Sequence, residues 1–179
     1  EQIKYEVIDA KTTSAGLGLI VREAGRLVQQ GLQHDEIIQR IKKTIKNTRL
    51  FVSIPTLKYL IKSGRVTWAK GFAGSVLHVK PLITLDNDGN VIELAKVIGQ
   101  KNLLKKTLEF ALQFGHSVSN PKFGIVHVLS PTIAQQFKEE LMSVFHDQDI
   151  FITDASPALG LHTGIGSVAI AVTADSNKL

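Results

Sequence analysis

The sequence predicts an α/β fold: a mixed sheet with flanking helices and a β-hairpin. Three observations carry this. Short apolar runs at residues 50–54, 123–129 and 167–173 alternate with longer segments in which apolar residues return every three or four positions. Between two further apolar runs stand Asp86, Asn87, Asp88, Gly89 and Asn90, and Asp-Gly supplies the positive φ that a hairpin turn needs. With 179 residues, of which 44% are hydrophobic and 21% charged, the chain can enclose one core and bury about 70% of its unfolded surface.

Residues 3–9 are β-rich and read as a first strand, not as a signal peptide. Thr12, Thr13 and Ser14 then offer hydroxyl N-caps to a helix whose Leu17, Ile20, Val21, Ala24, Leu27 and Val28 form one apolar face and which Gly31 ends. A second helix over residues 35–47 sets Ile37, Ile38, Ile41 and Ile45 against Arg40, Lys42, Lys43 and Lys46. Pro55 stops the run at 50–54, and Thr56 caps a short helix that ends near Gly64. Trp68, Phe72, Val76 and Leu77, with Gly71 and Gly74, predict a closely packed helix or helix pair over residues 67–79.

The hairpin strands follow at 81–85 and 91–97, then a helix over 101–114 and a strand at 123–129. Ser130 and Pro131 have the pattern of an N-cap and first helical residue, opening a helix that reaches about residue 145. Strands at 149–153 and 167–173 complete the pattern. There is no internal repeat and no linker that would divide residues 1–179 into two domains.

Composition excludes several functions. The chain has no cysteine, which removes disulfide scaffolds, thiol nucleophiles and thiolate metal sites and makes a reducing, cytoplasmic setting the expectation. No apolar run reaches the roughly 18 residues of a membrane span. The formal charge is +5, concentrated at residues 51–110, where nine basic residues face four acidic ones. Such a patch suits solvated helix surfaces or an anionic partner. Nucleic acid is not expected, because aromatics make up 6% of the chain and do not interleave with Lys101, Lys105 and Lys106. The six histidines never pair with an acidic neighbour at metal-ligand spacing, so no metal is expected. Phosphate-loop and dinucleotide fingerprints are missing, as is a Gly-x-Ser-x-Gly elbow, and no cofactor is expected.

Two places remain for chemistry. In the run Gly160, Leu161, His162, Thr163, Gly164, Ile165, Gly166, a glycine-rich backbone can curl around an oxyanion while His162 and Thr163 add donors. The same run also reads as a plain turn with a locally satisfied histidine. Arg65 follows Gly64 at a helix end, where its guanidinium can meet a carboxylate or phosphate bidentately or simply answer the helix dipole.

Several segments taken in order resemble the DegV family. They are the run from Val7 through Asp9, Lys11, Thr12, Thr13 and Ser14 to Gly16 and Gly18, then Thr56 to Val66 with Ser63, Gly64 and Arg65, then Gly74 to Pro81, and His162 to Gly166. The family consists of bacterial fatty-acid-binding proteins that act as acyl carriers of fatty-acid kinase. The resemblance implies a DegV-like C-terminal lobe, with the family's N-terminal lobe absent from these residues. It implies a long-chain fatty acid held by its carboxyl group at His162 and Thr163, with Arg65 beside it, and an acyl tunnel touching Phe72, Val76, Leu77 and Ile83. A separate kinase subunit would phosphorylate the carboxylate, and the carrier would not be an enzyme. The family's Arg-Gly-Arg after the hairpin is represented by Ile98, Gly99, Gln100 and Lys101, so one charge suited to kinase docking is retained and two are lost. The competing expectation is a regulatory or interaction domain that keeps the fold without lipid. Half a carrier would also expose apolar surface and self-associate.

Overall fold

A computed structural model describes residues 3–66, 79–146 and 149–174. In chain order the elements are α1 (Ser14–Gln29), α2 (His34–Lys46), β1 (Thr48–Ser53), α3 (Lys58–Lys62), β2 (Val79–Leu85), β3 (Val91–Ile98), α4 (Gln100–Ser117), β4 (Lys122–His127), α5 (Pro131–Val144), β5 (Phe151–Asp154), α6 (Pro157–Thr163) and β6 (Val168–Thr173). The six strands form one sheet in the order β3-β2-β1-β6-β4-β5. Only the β4–β5 pairing is parallel, so the sheet is mixed, as the sequence predicts.

The alternation of side chains along each strand sorts the core into two layers. Phe51, Phe123, Ile125, Ile170 and Val172 point to one face, where they pack with Leu103 and Ala111 of α4 and Ala134, Phe137 and Leu141 of α5. Leu50, Val126, Ala169 and Ala171 point to the other face and meet Ala15 and Leu19 of α1. All six residues of β6 are buried, as a strand covered on both faces requires. A third cluster joins Leu60 of α3 to Ile54, Val66 and Ile83, and a fourth joins α1 to α2 through Ile20, Leu27 and Ile41.

The hairpin is present between β2 and β3. Asp86 Oδ1 accepts the backbone N–H groups of Asp88 and Asn90 at 2.9 and 2.8 Å, and Gly89 has φ +84°. Four expectations change. Residues 3–9 form no strand: Ile3, Tyr5 and Val7 are 84%, 81% and 88% exposed, because β-rich composition becomes a strand only where a sheet edge receives it. In α1, Leu17, Val21 and Val28 face solvent, while Ala15, Leu19, Ile20 and Leu27 turn inward around the buried Glu23. Thr13 and Ser130 occupy N-cap positions without capping through their side chains. The glycine-rich run is not simply a turn: it begins inside α6 and passes into Gly164 and Gly166, both at positive φ. The expected helices over 67–79 lie, apart from Val79 of β2, outside the described residues.

Candidate functional site

A cavity of about 370 Å³ opens on the face of the sheet that α1 covers, beyond the N-terminal end of that helix. Its floor is apolar, built from Leu50 and Val52 of β1, Leu85 of β2, Val91 of β3, and Val126 and Val128 at the end of β4. Alternation explains this selection, because residues two apart on one strand share a face. Around this floor stand polar residues that include Asp9, Lys11, Ser14, Arg65, Asp88, His162 and Thr163.

Two short helices bring the predicted polar residues together. The chain leaves α3 through Gly64 at φ +70°, and the N–H of Arg65 donates to the Leu60 carbonyl at 3.0 Å, so the turn fixes where Arg65 departs. Arg65 is exposed, and no ion pair to it is found among the described residues. On the other side, the N–H of Leu159 donates to Ser156 Oγ at 3.3 Å and Pro157 opens α6. That Ser-Pro pair repeats the Ser130-Pro131 signal and would have found α6 in the sequence. His162 lies in the last turn of α6, half-buried, and its Nδ1 is buried with no hydrogen-bond partner among the described residues. The α3 and α6 helices pack directly on one another.

Thus Arg65, His162 and Thr163, which are 98 residues apart at their widest, line one cavity. Their chemistry differs. Thr163 Oγ1 donates its proton to the Leu159 carbonyl at 3.2 Å and is left as an acceptor. His162 and Arg65 keep donors available for an anion. Lys11 is held by Asp9, whose Oδ2 lies 3.0 Å from Nζ. The hydrogen bond that the Lys11 ammonium donates to Asp9 raises the Lys11 pKa, with the fields of Asp9, Asp88 and Asp86 adding to it, and the backbone N–H of Lys11, donating to the carboxylate, leads the lowering of Asp9. Both groups therefore stay charged through the neutral range.

Of the expected tunnel residues, Ile83 is buried beside Ile54, Leu60 and Val66 and is not among those lining the cavity, while Phe72, Val76 and Leu77 lie outside the described residues. Sequence reasoning did not single out Leu50, Val52, Val126 and Val128 as a ligand surface. Their two-residue spacing marks a shared face, but any core strand shows the same spacing. Among the described residues, no group of three acidic or histidine side chains could hold a metal ion, and no helix is long and apolar enough to cross a membrane.

The family model described as an uncharacterised protein of the DegV family matches residues 1–175. The chain belongs to the DegV family. A DegV domain-containing protein of Clostridium acetobutylicum is 28% identical over 172 residues, covering 96% of this chain and 61% of the relative. One from Staphylococcus aureus is 29% identical over 166 residues, covering 93% and 59%. This DegV chain thus spans about three-fifths of the length of the curated relatives it matches. The fold is also that of solved family members. A fatty acid binding DegV family protein from Streptococcus agalactiae superposes with a TM-score of 0.84 at 26% identity, over 94% of this chain and 59% of that one. The Streptococcus pneumoniae Fatty Acid Kinase (Fak) B3 protein, loaded with linoleic acid, superposes with a TM-score of 0.85 at 21% identity, over 96% and 60%.

Proposed function

We propose that this DegV chain is the lipid-binding part of a fatty-acid carrier that presents an acyl carboxylate to a separate kinase. The observation that carries the reading is the cavity itself: a floor of leucine and valine with His162 and Arg65 at its polar side. A volume of about 370 Å³ falls in the range of ligand pockets, roughly 300 to 1,000 Å³. Each methylene buried there contributes about 0.8 kcal/mol, so chain length dominates affinity. The polar groups then set which end of the ligand faces out. The fatty acid bound by the streptococcal relative supports the ligand class.

In this reading the guanidinium of Arg65 and a ring N–H of His162 donate to the carboxylate, whose charge is costly in an apolar site without such partners. A carboxylate oxygen attacks the γ-phosphorus of ATP held by the partner kinase, the bond to the β-phosphate oxygen breaks, and ADP leaves with acyl phosphate remaining on the carrier. Negative charge gathers beside Arg65 in that step, so this residue serves transfer more than retention.

The test is extraction of the purified protein, expressed as encoded, with organic solvent and mass spectrometry of the extract. A long-chain acid is expected. An empty extract from a folded protein that also takes up no added oleate or palmitate overturns the reading.

A further inference from the structure

Ser14 opens α1 with φ +58°, in the left-handed region, and Lys11 three residues earlier has φ +52°. Residues other than glycine seldom adopt this conformation, and where they do the strain concentrates at ligand clamps and active sites. A glycine at position 14 would satisfy the same backbone at lower cost. What serine adds is a hydroxyl. That hydroxyl is unemployed in the fold: Ser14 Oγ is buried and has no hydrogen-bond partner among the described residues, and it does not cap its own helix. Ser14 also lines the cavity that holds His162, whose Nδ1 is likewise buried and unpartnered. Buried polar atoms are nearly always paired in folded proteins, so two orphans in the wall of one cavity call for a partner that enters it.

We infer that Ser14 is a further head-group residue, donating its hydroxyl proton to the carboxylate of the ligand from the α1 side of the cavity while His162 approaches from α6. This rests on the fatty-acid reading and adds a third donor to those of His162 and Arg65. The nearby groups agree with an anion at this place. The charged groups of the wall are Lys11 and Arg65 against Asp9 and Asp88; Asp9 pairs with Lys11 and the field of Asp88 also acts on Lys11, while among the described residues no carboxylate pairs with Arg65, so Arg65 is the cation left to meet the anion.

The experiment compares wild type, Ser14→Gly and Ser14→Ala in the protein as encoded, titrated with oleate and with methyl oleate, each with a melting curve. Ser14→Gly relaxes the backbone, so its melting temperature is expected to hold or rise. Its oleate affinity should fall about tenfold, as loss of a hydrogen bond to a charged group predicts, while methyl oleate changes much less. Ser14→Ala loses the same interaction and keeps the strained backbone. Variants that bind oleate as wild type does overturn the role of Ser14 alone. Equal losses for acid and ester make Ser14 a shaping residue of the cavity and also overturn it. A folded wild type that binds neither ligand overturns the fatty-acid reading, and this inference with it.

Discussion

The ring of Tyr59 fills the space that a side chain at Gly164 would occupy: a Cβ there would stand 2.5 Å from Tyr59 Cδ2. Tyr59 belongs to α3, which ends just before Arg65, and Gly164 closes α6, which carries His162. One close contact therefore sets the relative position of two cavity residues that lie far apart in sequence.

Gly164 also has φ +83° and ψ 162°, a region open essentially to glycine alone. Gly164→Ala is expected to destabilise the fold by roughly 1–3 kcal/mol from the backbone alone, with more from displacing Tyr59. Thermal denaturation should show a clear drop in melting temperature, and oleate binding should weaken as α6 shifts. A variant with wild-type melting and binding would show that the contact is slack.

His162→Ala and Arg65→Ala should separate binding from folding. Neither side chain has a hydrogen bond within the described fold that its removal would orphan, so melting temperatures should stay close to wild type. A charge-assisted hydrogen bond is worth about 1.5–3 kcal/mol, so acyl retention or acyl-phosphate formation should fall roughly tenfold or more. Phosphoryl transfer is the readout on which Arg65→Ala should show most. Marked unfolding with normal transfer by the folded fraction would make either residue structural.

Glu23 is the buried charge of α1. Its carboxylate accepts two bonds from Arg26, at 2.8 and 2.6 Å, and lies 3.6 Å from Lys122 Nζ. Glu23→Ala leaves these cations facing a site with no carboxylate and is expected to cost about 3 kcal/mol, the lower end for a broken buried pair. Chemical denaturation measures it. Because the site lies away from the cavity, lipid affinity of the folded variant should be unchanged.

Asp86 gives the hairpin turn an acid-sensitive latch. Backbone and side-chain hydrogen bonds from Asn90 lead the lowering of its pKa. A depressed folded pKa means that the contribution is present above the unfolded value, about 3.9, and is lost as pH falls through the folded one. The protection of the Asp88 and Asn90 amides against exchange, measured by NMR relative to the intrinsic rate at each pH, should fall below about pH 4. Asp86→Asn should remove that dependence. A turn whose protection is independent of acid would contradict the assignment.

The sequence alone determined the features that depend on neighbours within a few residues. Three- and four-residue apolar spacing marked the helices, Asp-Gly marked the hairpin, and Gly64 before Arg65 marked a turn, because backbone preferences and capping act over a single turn of chain. The two Ser-Pro pairs show the reach of such signals, since the same pattern opens both α5 and α6.

The tertiary structure decided what depends on partners elsewhere in the chain. Residues 3–9 have the composition of a strand, yet no edge receives them among the described residues, and pairing is a property of two segments. In α1 the helical period was legible, but Leu17 and Val21 face outward because α1 packs on β4 and β6 through Ala15 and Leu19. The cavity is the clearest case. Its floor uses residues from four strands, and its polar wall joins Ser14, Arg65 and His162 only after β1, β6 and β4 have paired and α3 has packed against α6. Local preference acts over a few bonds, whereas a site assembled from strands and helices far apart in the chain exists only once long-range packing has closed the distances between them.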